Sequence, residues 1–290
     1  MMRDTDTSSG GRQASRRDGQ YLGSEGPSSR GFKRITVGKA QILARAEAVS
    51  WSRHAVVTHG SLYRAAHDSA YRTLHGRGPL PVLANPEGVG PAWVVRRYYR
   101  GGLMRAFGDR FLRGGRPRSF IEVENSAKMV ELGFTTPRIV AAAVYPTGVL
   151  YRADLVTEFV PNARTLADVL FGNDESDAEA DRDERREALF CARHLIARLS
   201  KAGVRHRDLN ARNVLIAREA QQVHAILLDL DGCRVEGRSN PADAGRLGRR
   251  LARSIRKLDR THERSHDDDG GHLTNDEIDH LLGLSRPPAS

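Results

Sequence analysis

Cysteine, lysine, aromatic residues and long apolar runs are all scarce in this chain, and each scarcity removes a class of protein. Cys191 and Cys233 stand in unrelated contexts. Two thiols so placed give neither a disulfide framework nor zinc-ligand spacing. Aromatic residues make up 6% of the 290. No stacking motif or recognition helix accompanies them, which weighs against a nucleic-acid-binding protein. The longest mostly apolar stretch, Ile139–Tyr151, is broken by Pro146 and Gly148. It is shorter than the roughly 20 residues that span a bilayer as a helix. The amino terminus, MMRDTDTSSGGRQASRR, has no apolar core, so it does not read as a secretory signal. A cytosolic protein is expected.

The shortage of lysine changes what the charge means. The net charge is +10 and the pI about 10.1, yet only five of the 46 cationic residues are lysines. Arginine forks match phosphate and carboxylate better than an ammonium does. The expected partners are therefore anionic: a nucleotide, a phosphorylated sugar or an anionic membrane surface. A hydrophobic content of 39% and a mean hydropathy of −0.52 fit a globular protein with polar ends.

Pattern divides the chain into four stretches. Residues 1–34 are rich in Ser, Gly, Arg and Asp; they cannot offset their ordering entropy and are expected to be disordered. Residues 35–160 form a first lobe, a twisted sheet plus one helix. Its strands are expected from Ala65 to Tyr99, with turns at Gly76–Gly78 and Asn85–Gly88. Its helix is expected over SFIEVENSAKMVELGF, capped at Ser119 and stopped at Gly133. IVAAAVYPTGVLYRADLVTEFV then returns to strand character. Residues 161–260 form a second lobe. It opens with an amphipathic helix over DERREALFCARHLIARLSKAG and closes with a basic helix from Arg246 to Lys257. Residues 261–290 read as a polar, mostly disordered tail. Thr274 and Glu277 there have capping-box spacing for one short helix. His262, His266 and His272 beside Asp267–Asp269 read as solvated rather than metal-binding. The order sheet, helix, sheet, helices predicts a two-lobed α+β fold.

The chemistry concentrates in VRHRDLNARNVLI (Val204–Ile216) and HAILLDLDGCR (His224–Arg234). The first matches the catalytic loop H-R-D-L-x-x-x-N of eukaryotic-like kinases through His206, Arg207, Asp208, Leu209 and Asn213. The spacing has a physical basis. Asp208 must take a proton from an acceptor hydroxyl, while Asn213 turns its amide oxygen to Mg²⁺ on the phosphates of ATP. Asp229, closing the second apolar run, stands where the metal-chelating Asp of D-F-G belongs, and a carboxylate is a hard ligand for Mg²⁺. Asp231 reads either as a further ligand or as a turn residue, the turn being preferred. Upstream, Gly76 and Gly78 would let backbone N–H groups approach phosphate. Arg96 in AWVVRRYYR takes the place of the usual strand lysine and pairs with Glu122 on the following helix, Glu124 being the rival. Strand alternation turns Arg97 the other way. The fold expected is thus a eukaryotic-like protein-kinase fold with a reduced C-terminal lobe.

WVVRRYYRGGLM (Trp93–Met104), GFTTPRIVAAAVYPTGVLYRADLVTEFVPNARTLADVL (Gly133–Leu170), HRDLNARNVLI and LLDLDGCR together resemble the lipopolysaccharide kinases, most closely those acting on 3-deoxy-D-manno-octulosonic acid (Kdo). The likeness spans about Thr73 to Leu258. In that family Arg is common at the position of Arg96, and the Asp-Phe-Asp usual at the second strand's end is here Asp229-Leu230-Asp231. The resemblance implies ATP-dependent phosphorylation of the 4-hydroxyl of a Kdo residue on Kdo–lipid A, with Asp208 as the catalytic residue. It also implies peripheral attachment at the cytoplasmic face of the bacterial inner membrane. Eight arginines and one carboxylate, Asp109, lie from Arg96 to Arg118. In a kinase this segment borders the cleft, so Arg100 and Arg105, with hinges at Gly101 and Gly102, are assigned to an acceptor carrying carboxylate and phosphate. The basic helix with Leu247, Leu251, Ile255 and Leu258 could lie on a membrane, but packing on the core is preferred.

Other readings differ in what they require. About 60 residues follow Asp229, too few for the activation segment and peptide-docking helices of a protein kinase. A heptose kinase of the same pathway is chemically equivalent. A basic nucleic-acid-binding protein would respond to oligonucleotide rather than ATP. Neither a nucleic-acid partner nor an obligate protein partner is expected.

Overall fold

A computed structural model describes residues 31–76, 78–99, 108–172, 178–219, 222–237, 241–262 and 274–284. The first lobe is built on one large sheet. Its strands are β1 (Phe32–Val37), β2 (Ala40–Arg45), β3 (Arg72–His75), β4 (Pro79–Leu83), β5 (Trp93–Arg97), β6 (Phe111–Leu112), β7 (Ile139–Thr147) and β8 (Leu150–Glu158). The order across it is β1-β2-β7-β8-β5-β4-β3, with β6 paired to β8. All these pairings are antiparallel. Gly148, at a φ of 58°, makes the tight β7–β8 turn that a side chain would strain.

Period-2 alternation gives this sheet two apolar faces. Trp93, Val95, Val140, Ala141 and Val156 meet helices α1 (Val49–His59) and α2 (Leu62–Ser69) on one side. Leu43, Ala142, Val144, Ala153 and Leu155 meet Phe120 and Val123 of α3 (Arg118–Glu131) on the other. The second lobe has the sheet β12-β11-β9, made of β9 (Ala163–Thr165), β11 (Val214–Glu219) and β12 (Gln222–Leu227). Its helices are α4 (Leu166–Phe171), α5 (Ala178–Lys201), α6 (Pro241–His262) and the short α7 (Asn275–Leu281). Leu247, Leu251 and Ile255 of α6 are buried in the same core as Leu195 and Leu199 of α5. At roughly 2 kcal/mol for each large apolar side chain buried, that face is committed to the fold and is not open to a membrane.

Several local expectations are corrected. Residues 65–69 close helix α2, because Ser61 caps it by accepting from the Arg64 N–H; the strand begins only at Arg72. The expected disordered stretch 1–34 is too long at its end, since β1 starts at Phe32, whose ring lies under the Arg45 guanidinium; residues 1–30 lie outside the described residues. Ser119 does not cap α3. Pro117 precedes the helix, and Ser119 is buried in its first turn, donating to the Ala143 carbonyl. Gly133, at φ 77°, does end it. The capping box of Thr274 and Glu277 starts α7 as its spacing predicts. The His and Asp side chains between 262 and 272 lie outside the described residues.

Candidate active site

Strand β5 lies between β8 and β4 in the first-lobe sheet, and its alternation separates two arginines. Val94 and Arg96 face a cleft, whereas Trp93, Val95 and Arg97 face α1 and α2. Arg96 donates from Nη2 to Glu122 Oε2 at 2.6 Å and from Nη1 to Asp229 Oδ1 at 2.9 Å. Its guanidinium also lies over the Tyr98 ring, 4.7 Å from the centroid. Arg97 instead donates to the buried Asp154 at 3.2 Å and to Ser61 Oγ at 3.0 Å. Glu122 is buried on the inner face of α3 and also accepts from the Tyr98 hydroxyl. Burial, with Asp229 and Asp231 nearby, outweighs the pull of Arg96 and raises the Glu122 carboxyl to about 7.

Asp208 and Asp229 lie on two loops that hydrogen bonds stitch together. Strands β10 (Val204–His206) and β13 (Cys233–Val235) pair antiparallel, setting His206 opposite Cys233. Beyond them the Arg207 N–H donates to the Gly232 carbonyl at 3.2 Å, and the Leu228 N–H to the Asn213 carbonyl at 2.9 Å. His206 sits buried between the loops. Its Nε2 is 3.2 Å from the Leu228 carbonyl, while its Nδ1 accepts from the Asp208 N–H at 3.2 Å. That pattern requires the neutral Nε2–H tautomer, consistent with burial lowering the imidazole pKa. Asn210 and Asn213 both donate to the Asp208 carbonyl, at 2.9 and 2.8 Å. The second bond leaves the Asn213 Oδ1 as that side chain's remaining ligand atom.

Asp229 adopts a left-handed backbone, φ 59° and ψ 56°. Such a conformation costs roughly 1–3 kcal/mol and here is held by the bond to Arg96. Asn125 of α3 fixes the same turn, donating to the Leu230 and Cys233 carbonyls at 2.7 and 3.1 Å. Asp231 pairs with Arg118 at the start of α3. Oxygens of Glu122, Asp229 and Asp231 lie within 4.8 Å of one another. Three hard carboxylates against two guanidiniums suit a divalent cation such as Mg²⁺.

The cleft between the lobes encloses about 700 Å³. Leu80, Val94, Leu155, Leu215 and Leu227 give it apolar walls, and Glu158–Val160 cross its rear between β8 and the second lobe. Arg96, Glu122 and Asp229 line it as one hydrogen-bonded group, and Arg212 of the loop after β10 lines it too. The volume and the mixture of apolar walls with a few convergent polar groups are those of a nucleotide-sized site.

Residues 63–267 match the sequence model described as the lipopolysaccharide kinase (Kdo/WaaP) family. The chain belongs to that family. It is an ATP-dependent phosphotransferase acting on a sugar hydroxyl, a kinase of the lipopolysaccharide core. It is 30% identical over 190 residues to the 3-deoxy-D-manno-octulosonic acid kinase of Haemophilus influenzae strain PittGG, covering 63% of this chain and 75% of that one. The enzyme of the same name from Vibrio cholerae serotype O1 is 34% identical over 190 residues, covering 61% and 74%. A solved structure, "WaaP in complex with acyl carrier protein", aligns with a TM-score of 0.42 and 14% identity over 79% of this chain and 92% of that one.

Within this lipopolysaccharide kinase, the sequence-predicted residues divide by place. Arg96, Glu122 and Asp229 converge. Asp208 and Asn213 sit on the adjoining loop but do not line the cleft, as Arg212 and Asp229 on either side do. Gly76 lines the cleft at the β3–β4 turn; Gly78 packs against the Tyr99 ring instead. Glu124 pairs with Arg116 and not with Arg96. Asp231 lies in the expected turn, and it also faces the carboxylate cluster. Arg100 and Arg105 lie outside the described residues, as do Gly101 and Gly102. Sequence reasoning missed Arg118, Asn125 and Asp154. The only available signal was the burial rhythm of α3, which places Glu122 and Asn125 three apart on its inner face.

Proposed function

We propose that this kinase transfers the γ-phosphoryl group of ATP to the 4-hydroxyl of a Kdo residue on a Kdo–lipid A glycolipid. The observation that carries the proposal is the joining of the Asp208 and Asp229 loops beside Arg96 and Glu122, in a chain whose relatives carry the name Kdo kinase. The purine fits the apolar walls, against the backbone of Glu158–Val160, and the phosphates extend toward Arg96. Asp208 orients the sugar hydroxyl and accepts its proton as the new O–P bond forms and the bond to ADP breaks. Asn213 and Asp229 would hold Mg²⁺, which when bound neutralises charge on the phosphates. Arg96, braced by Glu122, steadies the phosphates, and Gly76 covers them. Arg100 and Arg105 are assigned to the anionic groups of the acceptor. The enzyme is placed at the cytoplasmic face of the inner membrane as a peripheral protein. No described helix is long and apolar enough to cross a membrane.

The test is incubation of the purified protein with labelled ATP and a panel of acceptors: Kdo–lipid A, heptosylated core, a generic protein and none. Label on Kdo alone supports the proposal. Label confined to heptose would redirect it to a heptose kinase, and label on protein only would overturn the sugar-kinase reading.

A further inference from the structure

With the apolar face of α6 consumed by the core, a membrane contact must be sought elsewhere, and one end of the first-lobe sheet has the needed composition. Register brings three pieces of chain together there. In β7–β8 the last pair is Thr147 with Leu150, joined by Gly148 and Val149. In β6–β8, Leu112 lies opposite Leu150. On the other side, Gln41 of β2 lies opposite Val144 of β7, which carries the Gly38–Lys39 turn to the same end. Val149 is 75% exposed and Leu112 65%. Between them Arg113 is tied down, its N–H on the Val149 carbonyl at 2.9 Å and its guanidinium on the Gly148 carbonyl at 3.0 Å. Lys39, Arg110 and Arg113 are all exposed. None of the residues 36–41, 110–115 or 146–150 is acidic.

We propose that this tip is a docking surface for an anionic lipid bilayer, with Leu112 and Val149 entering the headgroup–acyl boundary and Lys39, Arg110 and Arg113 meeting lipid phosphates. Two exposed apolar side chains, one ending the short strand β6 and one in the β7–β8 turn, suit shallow insertion; the cations beside them are complementary to anionic headgroups, because the adjacent carboxylate, Asp109, is held by Arg97 and Arg152. The placement has a functional consequence. Strand β8 runs from this tip, past Leu155 opposite Arg96, to Glu158 at the rear of the cleft. The tip therefore stands at the end of the sheet opposite Glu158–Val160, with Arg96 between. A bilayer touching it would lie on the side away from the purine end. The inference deepens the peripheral location proposed above and rests on that part of the reading; the acceptor chemistry is tested separately.

The experiment is vesicle sedimentation of the full chain with phosphatidylcholine vesicles, with and without one third phosphatidylglycerol. The wild type is compared with Leu112→Asp/Val149→Asp and with Lys39→Glu. Binding to the anionic vesicles alone is expected, falling at least tenfold in the double variant and several-fold in Lys39→Glu. The ATP-induced rise in Tm and phosphorylation of a deacylated, water-soluble acceptor should be unchanged, which shows that the variants fold. Absence of wild-type binding, equal binding to neutral vesicles, or full binding by the double variant would overturn the inference while leaving the kinase assignment standing. Retention on immobilised polyglutamate that the double variant loses, without sedimentation on vesicles, would assign the tip to an acidic protein and equally overturn it.

Discussion

Replacing Glu122 by Gln tests whether the buried cluster works as described. The carboxyl is buried, with a side chain 6% exposed, and is raised from 4.5 to about 7. A folded value above the unfolded one means that Glu122 favours the folded state most when protonated. That contribution is fully present below about pH 4.5, is lost as the pH rises through about 7, and stays lost above it. The interval between the two values corresponds to about 3 kcal/mol. Gln keeps the shape and an acceptor for Arg96 but does not titrate. Urea unfolding at pH 5 and pH 8 should therefore show the stability of Glu122→Gln, relative to wild type, rising by about 2–3 kcal/mol over that range. Phosphorylation should fall at the same time, since a neutral amide braces Arg96 less firmly than a carboxylate does. Identical pH profiles for the two proteins would refute the reasoning that burial, and not the Arg96 pair, governs this group.

Other outcomes follow from the same contacts. Asp208→Ala should lower turnover by roughly 10²–10⁴-fold, while ATP still raises Tm; near-normal phosphorylation would remove Asp208 from the proposed role. Arg97→Met strands the buried Asp154 carboxylate and should cost about 3–5 kcal/mol in urea unfolding; a loss under 1 kcal/mol would show that Tyr145 and the Tyr63 N–H satisfy Asp154 without it. Glu277, held at about 2 by the Thr274 N–H and Arg182, supports stability above pH 4.5 and loses it as the pH falls toward 2. Glu277→Gln should flatten that acid limb in thermal melts, and an unchanged limb would place the acid sensitivity elsewhere.

Local patterns were legible wherever the chemistry is local. HRDLNARN marked the loop that follows β10, where Asn210 and Asn213 both hold the Asp208 carbonyl, because those contacts span only two and five residues. Alternation in WVVRR separated Arg96 from Arg97, since a strand can place only one of two neighbours in the cleft. Cap positions were less legible: Ser119 has the right chemistry for a cap, but the helix already begins at Arg118, just after Pro117, and tertiary packing buries the serine. The stretch from Ala65 to Ser69 lacked a clear period, and only the Ser61 cap upstream marks it as helix.

The amino-acid order by itself determined the candidate groups and the periodicities that hold them: Asp208, Asn213, Asp229 and Arg96, on loops and strands whose residues are neighbours in the chain. Tertiary structure alone decided the partners of those groups. Arg118 meets Asp231 across 113 residues and Asn125 holds the Leu230 carbonyl across 105, separations at which no spacing rule operates. It likewise decided that α6 spends its apolar face on the core, while Leu112 and Val149 remain outside. Whether an apolar side chain is buried depends on what folds against it, and that is a property of the whole chain.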